Sequence, residues 1–113
     1  MTTGLLGKAA IPADVYTPVY TVTAGKTLTA NIRAINVSST ALTMRLAICP
    51  PGYVAGATPA ATDWIEPLDL PLALGPTGFL EEVGMVIGAG EVIVAFASAT
   101  GMTVRVAGFE SAA

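Results

Sequence analysis

The feature that most constrains this chain is the alternation of apolar and polar residues over short stretches that end at glycine or proline. Residues 42–48 alternate with period two, which places one set of apolar side chains on one face of an extended strand: Leu42, Met44, Leu46 and Ile48. The chain holds 12 glycines and 8 prolines, and no segment sustains the i, i+3, i+4, i+7 apolar spacing of an amphipathic helix. The pattern therefore predicts an all-β fold.

Seven stretches have strand character: 15–23, 27–37, 42–48, 63–72, 79–87, 91–98 and 102–109. Pro18 predicts an edge or bulged strand for the first, and Pro67 and Pro71 predict an edge strand or extended crossover for the fourth. A chain of 113 residues is the size of one domain. We predict a single antiparallel β-sandwich of about seven to eight strands, for which jelly-roll and immunoglobulin-like strand orders both remain open.

Two strands allow predictions about individual side chains. In 27–37 the alternation slips after Ala34, which predicts a β-bulge that turns Ile35 and Val37 inward. In 79–87 we expect one shared apolar face, made of Phe79, Val83, Met85 and Ile87.

The first residues differ in composition from the rest. Residues 1–12 are rich in glycine, alanine and threonine, with apolar side chains at Leu5, Leu6 and Ile11. We predict an extended N-terminal arm over 1–12 that orders against a neighbouring subunit, and a sandwich over 13–113. The alternative is a disordered terminus.

The apolar excess of the chain has two possible explanations. Hydrophobic residues make up 53% and charged residues 12%, against a usual charged share of about 25%, and the mean hydropathy is +0.69. A membrane-spanning helix needs about 20 apolar residues, but prolines and glycines interrupt the longest uncharged run, 46–62, and no secretory signal is expected. We expect a subunit that buries its surface in protein contacts.

Catalytic and cofactor-binding patterns are missing. The chain has no histidine, and its single Cys49 cannot form an internal disulfide. Asp63, Glu66 and Asp69 lack the ligand spacing of a calcium loop, and the adjacent Glu81 and Glu82 should point to opposite sheet faces. We therefore expect no enzymatic activity, no cofactor and no metal. The five basic residues form no run, so no nucleic-acid partner is expected.

Two aromatic residues are candidates for contacts. Tyr53 lies in a long Pro/Gly-rich loop where an aromatic side chain has little core to enter, and Trp64 follows that loop. Aromatics anchor protein interfaces, fill cores or stack on sugars. The predicted interaction residues are Leu5, Leu6, Ile11, Tyr53 and Trp64.

Several short motifs follow one another along the chain: 20–26 (YTVTAGK), 31–32 (NI), Asn36, 45–48 (RLAI), 63–66 (DWIE), 80–81 (LE), 89–91 (AGE) and 104–110 (VRVAGFE). This order resembles the small β-sandwich virion proteins of tailed bacteriophages, over about residues 16 to 110. The motifs largely encode turns and strand starts, and the resemblance carries no catalytic residue across.

The resemblance implies a capsid decoration (cement) protein that binds the outer shell and stabilises contacts between capsomers. Its partners would be the major capsid protein or other virion proteins and further copies of itself, with a trimer favoured, and neither nucleic acid nor membrane. Its location would be the virion, assembled in the host cytoplasm. The alternative is a tail, fibre or baseplate accessory domain for assembly or host-surface binding.

Overall fold

The computed structural model describes residues 2–75 and 78–112. These residues form eight strands and no helix: β1 (Thr2–Ile11), β2 (Thr17–Thr21), β3 (Lys26–Asn36), β4 (Leu42–Cys49), β5 (Leu70–Leu72), β6 (Phe79–Ile87), β7 (Val92–Ala97) and β8 (Met102–Ala112). The predicted all-β sandwich is confirmed.

The strands form two four-stranded sheets with a distinctive order. Sheet A has the order β1-β8-β3-β6, and sheet B has the order β2-β7-β4-β5. Every neighbouring pair is antiparallel. Successive strands largely alternate between the two sheets, and the first and last strands lie side by side in sheet A. This is the order of an eight-stranded jelly roll, and it decides between the two strand orders that the sequence left open.

The core lies between the sheets and follows the predicted alternation. In β3 the even-numbered residues from Leu28 to Ala34 are buried, and Asn31 and Arg33 between them are exposed. The largest fully buried side chains come from both sheets: Ile11, Leu28, Ile32, Met44, Leu46, Ile87, Ile93 and Met102. Each such side chain contributes about 1.5–3 kcal/mol relative to an exposed position.

The bulge predicted after Ala34 is wrong, because β3 keeps its alternation to the end and buries Asn36. The Asn36 amide Nδ2 donates to three carbonyls, those of Thr40 (2.8 Å), Leu72 (3.2 Å) and Ala73 (3.3 Å). Its Oδ1 accepts from Ser38. A buried amide whose hydrogen bonds are made can occupy a core position, so Asn36 joins sheet A to the end of β5 while Val37 stays exposed.

The shared face predicted for 79–87 is also wrong, because a bulge lies within β6. Ala30 pairs with Met85 and Ile32 with Glu82, which leaves two β6 residues opposite Asn31. One of them, Gly84, has a φ of 70°, and its N–H donates to Asn31 Oδ1 at 2.9 Å. The extra residue reverses the alternation, so Phe79 and Val83 are exposed while Met85 packs on the core.

The predicted N-terminal arm is not confirmed. Thr2–Ile11 is an edge strand of sheet A and pairs with β8 along its length. The alternation of its last residues explains the outcome: Ile11 is 2% exposed in the core, and Ala9 packs against the same core. Burial of these side chains in the sandwich places this segment within the domain, and Met1 lies outside the described residues.

A buried carboxylate joins the last strand to the turn between β2 and β3. Glu110 is only 3% exposed. Its carboxylate accepts the backbone N–H of Thr23 at 2.8 Å and the Thr23 hydroxyl at 2.9 Å, and the Tyr20 hydroxyl lies beside it. The Thr23 N–H, followed by the Tyr20 hydroxyl, lowers the pKa of this carboxyl from its ordinary value.

Replacement of Glu110 by Gln is therefore expected to destabilise the fold in a pH-dependent way. A lowered folded-state pKa means that the carboxylate contributes stability above its unfolded pKa, and that this contribution is lost as the pH falls through the folded value. Urea unfolding of both proteins should show wild type more stable at about pH 7 and the difference shrinking towards about pH 3. An equal difference at both pH values would contradict the role of the charge.

Candidate interaction surface

The loop between β4 and β5 covers much of the outer face of sheet B. Its return segment pairs with the part of β4 that follows the three residues paired with β5. The N–H of Ile48 donates to the Asp63 carbonyl at 2.9 Å, and the N–H of Ile65 donates to the Leu46 carbonyl at 3.1 Å. Trp64 lies opposite Ala47 in this pairing. The predicted strand at 63–72 is thus an irregular edge segment that becomes regular only in β5.

Arg45 links this loop to the sheet. Its guanidinium makes two hydrogen bonds to Asp69, at 3.0 and 3.3 Å, and donates to the Tyr16 hydroxyl at 2.7 Å. It also lies over the rings of Phe96 and Trp64, at 5.0 and 6.0 Å from their centroids. The hydrogen bonds to Asp69 raise the pKa of Arg45 above its ordinary value. A planar cation stacked on aromatics and paired with a carboxylate holds the loop in place.

A second, smaller apolar cluster lies under the loop. It consists of the buried residues Ala47, Cys49, Val92 and Val94, with Tyr16, Tyr53 and Trp64 packed against them. Burial raises the pKa of the Cys49 thiol, which lowers its thiolate fraction and hence its reactivity. The Tyr53 hydroxyl donates to the Ala57 carbonyl at 2.6 Å. Tyr53 and Trp64 therefore have partners within their own chain.

The outer face of sheet A, by contrast, is not covered by any described segment. Five of the ten large hydrophobic residues that the described part of the chain exposes lie on it: Leu5, Phe79, Val83, Val86 and Phe109. The pairing registers place their positions on neighbouring strands, since Val86 is opposite Thr29, and Thr29 is opposite Phe109. One side of the sandwich is thus a broad apolar face open to solvent.

A line of basic residues crosses the middle of this face. Lys8 pairs with Arg105, and Arg105 pairs with Arg33. Arg33 in turn pairs with Glu81, which it contacts at 3.0 Å, and its guanidinium lies 4.6 Å from the Phe79 ring centroid. We call Lys8, Arg105 and Arg33 the basic row. Three of the five basic residues of the chain, dispersed in sequence, are neighbours in the fold.

A depression lies beside the basic row, with a volume of about 400 Å³. Lys8 and Arg105 line one side, and Ala10, Ile35 and Thr103 are the outward-facing residues of the next row. The depression therefore combines two cations with a mainly apolar lining.

The five predicted interaction residues do not come together in one surface. Leu5 is 45% exposed on the outer face of sheet A. Leu6 packs against the core at a register shift of β1, and Ile11 is a core residue. Tyr53 and Trp64 lie over sheet B. Sequence reasoning missed the basic row and the valines of β6, because pairing register and the bulge decide which positions become neighbours.

The acidic residues assemble no metal site in the described part of the chain. No group of three or more histidine, cysteine or acidic side chains there is placed to hold a metal ion. Burial, and then the neighbouring carboxyl of Glu82, raise the pKa of Glu66. Within residues 2–75 and 78–112, no helix has the length and apolar character needed to cross a membrane.

Comparison with known proteins identifies no relative: no family model, no curated protein and no solved structure matches the chain.

Replacement of Arg45 by Ala is expected to loosen the loop over sheet B and expose Cys49. The change removes the bonds to Asp69 and Tyr16. Because the Asp69 carboxylate is solvent-exposed, the ion pair contributes about 0.2–1 kcal/mol, and the stacking on the aromatic rings adds about 0.5–1 kcal/mol. Reaction of Cys49 with a thiol reagent under native conditions should accelerate severalfold.

The matched control is Arg33→Ala, which removes an ion-paired, ring-stacked arginine from the other sheet. It should leave the Cys49 reaction rate unchanged. Equal acceleration in both variants would indicate general destabilisation and would contradict the local role of Arg45.

Proposed function

We propose that the chain is a non-enzymatic structural subunit of a bacteriophage particle, and specifically a capsid decoration protein that binds the outer shell and stabilises contacts between capsomers. The observation that carries the proposal is the outer face of sheet A. Exposed apolar patches rimmed by polar residues mark protein contact sites. This face is apolar at both ends, crossed by the basic row, and uncovered by the described chain.

The fold gives independent support. Eight-stranded jelly rolls serve as viral capsid domains, although lectins and cupins share the architecture, so the link from fold to function is an analogy. In the described part of the chain, only sheet A leaves an apolar outer face uncovered, and this favours a capsid role over that of a lectin or cupin. A decoration protein requires one flat contact face and one face that tolerates solvent. The loop, the Arg45 contacts and the second cluster provide such a second face.

The chemistry of the side chains also favours a structural role. The sequence has no histidine to act as a general base. Its one cysteine is buried, with a raised thiol pKa, which is the opposite of an activated nucleophile. The buried Glu110 carboxylate has its hydrogen bonds made within the fold.

Copy number separates the capsid proposal from the alternative of a tail, fibre or baseplate accessory domain. Quantitative mass spectrometry of purified particles should find the chain in about the same amount as the major capsid protein. A handful of copies per particle would contradict the decoration role and favour the tail. Absence from particles would contradict both.

Replacement of Val86 by Glu is expected to abolish attachment to particles while the fold is kept. Val86 is 71% exposed on the outer face of sheet A, so a glutamate there costs the fold little but places a negative charge in the proposed contact. Attachment is measured by co-sedimentation of the purified chain with particles that lack it. The matched control is Val54→Glu, because Val54 is 70% exposed in the loop on the other side. Equal attachment of the two variants would contradict a contact through sheet A.

A further inference from the structure

The basic row is an electrostatically unfavourable arrangement for an isolated chain. Side chains of directly opposed residues on neighbouring strands lie about 4.5–5.5 Å apart at Cβ, and like charges at such positions are destabilising. Lys8, Arg105 and Arg33 are opposed in this way across three strands. Of these three residues, only Arg33 has a carboxylate in contact among the described residues, that of Glu81. Lys8 and Arg105 are both exposed, and an added anion would relieve their repulsion.

The depression beside the row has the chemistry of a carboxylate site. Lys8 and Arg105 supply two cationic ends, and Arg105 can hold a carboxylate with two parallel hydrogen bonds. Ala10 and Ile35 supply apolar contacts, and Thr103 completes the lining. An aspartate or glutamate side chain presents this combination, a carboxylate on an aliphatic stem.

We propose that the outer face of sheet A binds an acidic protein surface, and that an aspartate or glutamate side chain of the partner occupies the depression beside Lys8 and Arg105. The inference rests on the proposed function in one respect, namely that this face is the contact face. It adds the chemical class of the partner. The apolar residues at both ends of the face supply buried area, and the basic row supplies specificity and register.

Charge complementarity favours this occupant over two others. A second copy packed on this face about a two-fold axis through the row would place the row against itself, with only Glu81 to offset three cations. A nucleic acid would need cations along its backbone, whereas the apolar residues Phe109 and Val86 flank the row on one side and Phe79 on the other. The chain as a whole is also acidic, with a net charge of −3.

The test uses the full chain and a defined probe. Capped glutamate (N-acetyl-glutamate N-methylamide) is titrated into the isotope-labelled protein while backbone amide NMR signals are followed, with capped glutamine as the neutral control. Saturable shifts at residues 8–10, 35 and 103–105 with glutamate alone are expected, and they should weaken severalfold when salt is raised from low to physiological concentration. Equal shifts with both probes, or none, would overturn the proposal.

Variants separate the site from general charge. The double variant Lys8→Gln/Arg105→Gln should lose the glutamate response, whereas Lys26→Gln, which alters a lysine at the start of β3 outside the row, should retain it. Retention by the double variant would overturn the site. Two further measurements test the other occupants. If the free chain self-associates and the double variant associates more strongly, the proposal of an acidic protein partner is overturned. Tighter binding of a short DNA duplex than of an acidic peptide would also overturn it.

The outcomes for this site and for the proposed function are distinguishable. If Val86→Glu loses particle attachment but capped glutamate produces no response, the contact face stands and the carboxylate site is wrong. If capped glutamate binds but Val86→Glu attaches normally, the contact face is wrong. Loss of attachment in both Val86→Glu and the double variant, with a glutamate response in wild type, supports both.

Discussion

The pairing of β8 with β3 connects the parts of this molecule that are far apart in sequence. Eleven residue pairs join Lys26–Asn36 to Met102–Ala112 in unbroken register. The approach is close enough that a Cβ atom on Gly108 would overlap the Thr29 carbonyl oxygen, so this position requires glycine. Because β8 also pairs with β1 on its other side, β8 joins the first strand of the jelly roll to β3 within one sheet.

The same register determines the character of the outer surface. Inward, it aligns Val104 and Val106 with the core side chains of β3. Outward, it sets Arg105 between Lys8 and Arg33, a sequence of charges that no local pattern requires. The repulsion between these like charges lowers the stability of the isolated fold. Residues that destabilise a fold in this way are expected at functional positions. The carboxylate site that we propose gives this conflict a purpose.

The two outer faces explain the composition of the chain. A small domain with few charges must hide apolar surface somewhere. Over sheet B the chain does so itself, with Tyr53 and Trp64 packed above Cys49. Over sheet A it does not, and the valines and phenylalanines there account for much of the exposed apolar surface. We propose that a binding partner covers the outer face of sheet A.

Local alternation predicted the interiors of β3 and β4, because period two directly reports which side chains face the core. It failed where another force acts: the hydrogen bonds of Asn36 make a polar residue suitable for burial, and the Gly84 bulge reverses β6. The predicted arm is not confirmed, since Leu6, Ala9 and Ile11 pack into the sandwich. Strand order and the basic row depend on long-range pairing, which a single sequence does not specify.

As we propose, the outer face of sheet A is buried against the shell of a particle. Cryo-electron microscopy of the assembled particle distinguishes the two possible orientations, because the two faces of the sandwich differ enough to orient the chain in density. We expect sheet A to lie against the shell, with acidic side chains of the shell protein beside Lys8 and Arg105. A sandwich attached through the β4–β5 loop, with sheet A facing solvent, would contradict it.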